Sequence, residues 1–151
     1  MIGARLMVAE PPAAYASRPT LVIDASVLAS TVFPETWTQE AVSWIRGRRL
    51  CAPFLLSFEL CNVARQKVRR RAISSDFASR AIRDFEDVGV ELFAVPPLEA
   101  FTLAHRYDLS GYDASYLWLA DHLQAPLATF DAKLGAAAQR HLSGEDPPAT
   151  G

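Results

Sequence analysis

Sulfur and imidazole are scarce in this chain: its 151 residues include two cysteines and three histidines. Cys51 and Cys61 match no redox or metal-binding spacing, and neither lies near a histidine, so disulfide scaffolds and zinc sites are not indicated. Both are expected to be core residues of a protein in a reducing compartment. His105, His122 and His141 have no ligand spacing and are expected at the surface. Also missing is any apolar run of the roughly 18 residues that a membrane span needs. Arg5, Glu10, Pro11 and Pro12 interrupt the N-terminal stretch where a secretion signal would be unbroken. The expected location is the cytoplasm, with no membrane partner. Positive charge is not in excess either: 15 Lys and Arg face 17 Asp and Glu, a net charge of −2. That balance excludes coating nucleic acid by bulk charge, but not meeting it through a local patch and a metal.

What the chain does have is apolar residues in periodic runs. Half of the residues are hydrophobic and 21% are charged, which suits one globular domain with a proper core. Residues 1–19 are rich in Ala and Pro without a period and read as a flexible extension. The domain spans 20–142, and 143–151 is a Gly/Pro-containing flexible tail. Strands are expected at 20–24, 49–53, 90–95 and 126–130. Helices are expected at 26–33, 36–48 (with Trp37, Ala41, Trp44 and Ile45 inward), 55–71, from Ser74 or Ser75 onward, 98–107 (with Phe101, Leu103 and Ala104 inward), 111–123 behind Ser110, and 132–141. Strands alternating with helices imply a parallel sheet covered on both faces.

Four acidic residues stand out against this pattern. Asp24 closes the apolar run Leu21-Val22-Ile23, at the carboxyl end of a strand, where ligands bind in open parallel sheets. Asp131 follows the strand at 126–130. Asp113 lies three residues after Ser110, a capping-box spacing, and shares a helix face with Leu117 and Ala120. Each Asp taken alone is as well explained by helix capping. Glu59 is different: it reads as mid-helix beside Leu55, Leu56, Leu60 and Val63, where a carboxylate is costly unless a cation or donors compensate it. Four carboxylates gathered at one edge would repel and raise one another's pKa values. A hard divalent cation removes that conflict, and oxygen-only ligands select Mg²⁺ or Mn²⁺ over Zn²⁺. Such a centre suits phosphodiester hydrolysis. Ser26, Asn62 and Thr129 are candidates to orient the acids or a water. Arg65, Arg69, Arg70 and Arg71, with Lys67, crowd the end of the 55–71 helix. They suit either a solvated helix terminus or a contact with substrate or a partner, and Arg46, Arg48 and Arg49 are candidates for the same contact role.

These segments together resemble the PIN domain: Asp24-Ala25-Ser26 after a strand, Glu59 with Asn62 on a helix, Tyr112-Asp113-Ala114 opening a helix, and Thr129-Phe130-Asp131 after a strand. The resemblance runs from about Leu21 to His141 and is nearest to the VapC-type toxin ribonucleases of bacterial toxin–antitoxin pairs. It implies a three-layer α/β/α sandwich with a central parallel sheet of four to five strands. It also implies a Mg²⁺-dependent endoribonuclease acting as a toxin on RNA, a homodimer, and a small cognate antitoxin. By that pattern Asp24, Glu59, Asp113 and Asp131 are the metal-binding, catalytic acids. Two departures are visible: the tail after Leu142 has no apolar run for the usual fifth strand, and the extension before Leu21 is long.

Other strand-then-Asp folds fit less well. A haloacid dehalogenase phosphatase needs an Asp where Ser26 stands, and a receiver domain needs a paired acid and a better-placed lysine than Lys133. Within the resemblance, a PIN ribonuclease of RNA maturation and a catalytically silent RNA- or protein-binding PIN-like domain are the alternatives to a toxin.

Overall fold

Three consecutive side chains without any exposed surface, Leu21, Val22 and Ile23, mark the centre of the molecule. Burial of each contributes roughly 1.5–3 kcal/mol. The computed structural model describes residues 5–10, 19–33 and 38–145. The described elements, in chain order, are β1 (Met7–Ala9), β2 (Thr20–Ile23), α1 (Ala25–Val32), α2 (Thr38–Ile45), β3 (Arg49–Pro53), α3 (Leu56–Arg69), α4 (Ser75–Val88), β4 (Glu91–Phe93), α5 (Pro97–Tyr107), α6 (Gly111–Leu123), β5 (Leu127–Thr129) and α7 (Ala132–Leu142).

The five strands form one sheet in the order β1-β5-β2-β3-β4. Strands β5, β2, β3 and β4 are mutually parallel, as alternation with helices requires. Helices α1 to α4 pack among themselves, and α6 packs on α5 and α7, giving the two outer layers of an α/β/α sandwich. Because Ile23 is in register with Ala128, the carboxyl ends of β2 and β5 lie side by side.

The sheet differs from expectation at one edge. A fifth strand exists, but it comes from the N-terminal extension: β1 pairs antiparallel with β5, Met7 opposite Thr129 and Ala9 opposite Leu127. The sheet is therefore mixed, and the reading of 1–19 as flexible fails at Met7–Ala9. Three residues are too few to show a period, so this strand is held by its neighbours. Ala9 is buried, and α7 packs over β1. The backbone of Gly135 on α7 lets it approach Met7 so closely that a Cβ there would meet Met7 Sδ at 2.5 Å.

Several smaller expectations are corrected. Cys51 is buried, but Cys61 is exposed, since it faces away from the α3 stripe of Leu56, Leu60 and Ala64. Phe101 is 65% exposed rather than inward, because Ala100 and Leu103 occupy the covered face of α5. His141 is not a surface group. Its Nδ1 pairs with the Tyr107 hydroxyl at 2.9 Å, its Nε2 lies 3.2 Å from Asp121, and its side chain is 15% exposed. Trp37 lies outside the described residues, as does the tail beyond residue 145.

Candidate functional site

Asp24 follows the last residue of β2 and is 6% exposed. Its Oδ1 accepts from the Val27 N–H at 3.1 Å, so it caps α1, and from the Ser26 hydroxyl at 2.6 Å. Its Oδ2 accepts a hydrogen bond from the Thr129 hydroxyl at the end of β5. Both hydroxyls also tie the neighbouring strand end: Ser26 Oγ accepts from the Phe130 N–H at 3.0 Å and Thr129 Oγ1 from the Asp131 N–H at 2.9 Å. Ser26 and Thr129 thus lock the first acid to the backbone that carries the last one. Asp131 itself caps α7, its Oδ1 accepting from the Leu134 N–H at 2.8 Å, and it is exposed at the rim.

Asp113 is not a cap. Ser110 caps α6 by accepting from the Asp113 N–H at 3.0 Å, and its hydroxyl also supports the half-buried Asp113 carboxylate. Glu59 needs a correction. Because α3 begins at Leu56, Glu59 sits in its first turn rather than mid-helix, where the positive end of the helix dipole also favours a carboxylate. No ion pair engages it among the described residues. Its protein donor is the Tyr116 hydroxyl, 2.9 Å from Oε1.

The electrostatics tie the acids together. Burial chiefly raises the Asp24 pKa above its ordinary 3.8, against the lowering by Ser26, Thr129 and Val27, and Asp113 adds to the rise. Glu59 is raised above 4.5, first by burial and then by Asp24 and Asp113, with Tyr116 opposing. Asp113 is raised by burial and by Asp131. Asp24, Glu59 and Asp113 therefore feel one another, and Asp131 joins through Asp113.

The remaining predicted positions run along α3 and just past its end. Asn62 is exposed and lines the same groove as Glu59. Arg65, Arg69, Arg70 and Arg71 are exposed, and Arg69 and Arg70 line a hollow with Gln66. Arg49 is committed elsewhere, pairing with Glu91 at 2.6 Å, and Arg48 lies over the Trp44 ring. Tyr116, 1% exposed, is the site residue that sequence reading missed. The available signal was its place one turn after Asp113, on the covered side of α6.

A family model described as PIN domain matches residues 21–139. The chain belongs to the PIN domain family. Ribonuclease VapC3 of Pyrobaculum aerophilum is 29% identical over 119 residues, covering 76% of this chain and 91% of that protein. Ribonuclease VapC9 of Mycobacterium tuberculosis is 27% identical over 119 residues, covering 79% and 91%. The crystal structure of PAE2754 from Pyrobaculum aerophilum superposes with a TM-score of 0.62 at 26% identity, over 82% of this chain and 87% of that one. In this PIN domain, no helix among the described residues is long and apolar enough to cross a membrane.

The acids of this PIN domain fit a hard cation by donor chemistry. They are all carboxylates and repel one another; hydroxyls support Asp24 and Glu59, and Lys133 offsets part of the repulsion at Asp113. Among the described residues no three acidic, histidine or cysteine side chains already form a cage for an ion. Mg²⁺ does not require one, since it keeps several waters and takes one or two carboxylates directly. A soft or fully enclosed metal does not suit this set.

Proposed function

We propose that the chain is a Mg²⁺-dependent endoribonuclease, with Mn²⁺ as a substitute, and that it acts as the toxin of a type II toxin–antitoxin pair. The observation that carries the catalytic reading is Glu59. It is a carboxylate pushed towards its protonated form by burial and by two further acids, with one hydroxyl as its protein donor. The ribonuclease names of the relatives point to RNA as substrate. The resemblance to VapC toxins supports a cytoplasmic homodimer restrained by a small antitoxin.

One or two of Asp24, Glu59 and Asp113 would hold the cation directly and the remaining acids, Asp131 among them, would hold it through its waters. When bound, the cation polarises the scissile phosphate and makes a coordinated water acidic enough to act near neutral pH. The protein's own part is positioning. Ser26 and Thr129 fix the Asp24 carboxylate from both oxygens, and Tyr116 fixes Glu59. Such supporting bonds typically change metal affinity or activity by about 10–100-fold.

Incubation of purified protein with total RNA, with Mg²⁺, Mn²⁺ or a chelator, tests the reading. Cleavage is expected with either ion, none with chelator, and none from Asp24→Asn, which keeps the acceptor for Val27. Retained cleavage by that variant defeats the assignment. Growth arrest on expression, relieved by a small neighbouring open reading frame, is expected of a toxin. Cleavage without arrest would return the chain to RNA maturation, and RNA binding without cleavage to a silent domain.

A further inference from the structure

Glu59 stands at one end of a longer groove. Glu59, Asn62, Val63, Gln66 and Arg69 or Arg70 recur at three- and four-residue steps and so form one stripe along α3. The part beside Glu59 is an open groove of about 530 Å³, lined also by Phe58 and by Tyr112 at the start of α6. Phe58 is 73% exposed and Tyr112 67%, unusual for rings with so much apolar surface to hide. Gln66 continues the stripe into a second hollow of about 360 Å³ with Arg69 and Arg70. From Glu59 to Arg69 is about 15 Å along the helix axis.

We infer that this groove takes the unpaired nucleobase beside the scissile phosphate of single-stranded RNA. Tyr112 and Phe58 stack on the base, Asn62 and Gln66 read its edge, and Arg69 and Arg70 meet the phosphate beyond. The inference rests on the ribonuclease reading and adds to it the groove that positions the strand. Each ingredient answers a part of a nucleotide. Exposed rings stack on bases that a duplex would keep hidden. Side-chain amides offer both donors and an acceptor, as base edges demand. Guanidinium groups match phosphate at the end away from the acids. An apolar peptide would use the rings and leave the arginine end unmatched.

The test is steady-state cleavage of a single-stranded RNA of about twenty nucleotides by the full chain with Mg²⁺. Tyr112→Ala is expected to raise KM roughly tenfold, the usual worth of one base–aromatic stack, with the loss carried by KM rather than kcat. Tyr112→Phe, which keeps the ring, restores it. Gln66→Ala is expected to flatten the nucleotide preference at ends mapped from total RNA, and replacing Arg69 and Arg70 by Ala to reduce the salt dependence of binding. Unchanged KM, preference and salt dependence overturn the proposal and leave the groove to a protein partner. If the wild-type chain cleaves no RNA, the ribonuclease reading itself fails. The groove is then judged by fluorescence anisotropy of the same RNA on the Asp24→Asn chain: roughly tenfold weaker binding on adding Tyr112→Ala supports it, and equal binding overturns it.

Discussion

The Tyr116 hydroxyl donates to Glu59 Oε1 across 2.9 Å, joining residues 57 positions apart in the chain. One is a buried ring on α6 and the other a half-buried acid on α3. Because this bond lowers the Glu59 pKa against burial and two like charges, its loss has a predictable sign. Tyr116→Phe keeps the ring in the core and is expected to cost about 1 kcal/mol of stability. The acid limb of the pH–rate profile should move to higher pH, since Glu59 then holds its proton longer. An acid limb that stays in place would show that Glu59 ionisation does not govern the rate.

The same pKa directions set the pH dependence of stability without a divalent ion. Asp24, Glu59 and Asp113 are all raised in the folded protein above their ordinary 3.8, 4.5 and 3.8, so the folded state binds more protons than the unfolded one. Their contribution is complete below those ordinary values and is lost as pH rises through the raised ones. Mg²⁺ binds the ionised carboxylates, so its stabilisation should be largest near neutral pH and fade as pH falls through their raised pKa values. Thermal melts across pH, with and without Mg²⁺, check both statements. A Mg²⁺ effect independent of pH would contradict them.

Thr129 has two duties, donating to Asp24 and accepting from the Asp131 N–H. Thr129→Val preserves shape and removes both, with an expected cost of about 1–3 kcal/mol and a fall in Mg²⁺ affinity of roughly tenfold or more. Thr129→Ser should recover most of each. Denaturant titration and calorimetric metal binding read the two effects separately. A valine variant with unaltered affinity would remove Thr129 from the site.

The close approach of Gly135 to Met7 predicts a coupling between α7 and β1. A Cβ at 135 would lie 2.5 Å from Met7 Sδ and 2.9 Å from Met7 Cβ. Gly135→Ala is expected to destabilise by about 1–3 kcal/mol through overpacking, and Met7→Ala in the same chain to relieve part of that. Strictly additive losses in the double-mutant cycle would mean that β1 does not pack there.

Much of this was legible because the signals are local. Ser110 and Ser74 cap α6 and α4 by accepting from the N–H three residues on, and α6 spans 111–123 as its pattern indicates. The strand ends carrying Asp24 and Asp131 were readable because an apolar run stops at a carboxylate. What escaped depends on distant partners. Strand β1 has three residues and takes its conformation from pairing with β5. Tyr116 looks like any core aromatic until α3 brings Glu59 to it. Phe101 and Cys61 were misassigned because helical spacing alone does not say which side a neighbour will cover.

The most direct measurement of the central claim is Mn²⁺ binding to the chain near neutral pH, followed by calorimetry, for the wild type and for Glu59→Gln and Asp113→Asn. If these distant carboxylates share one cation, the wild type binds and each neutral variant loses roughly tenfold or more in affinity while keeping its fold. Wild-type affinity in both variants would mean that the acids are neighbours without a common ion, and the proposed metal centre would not stand.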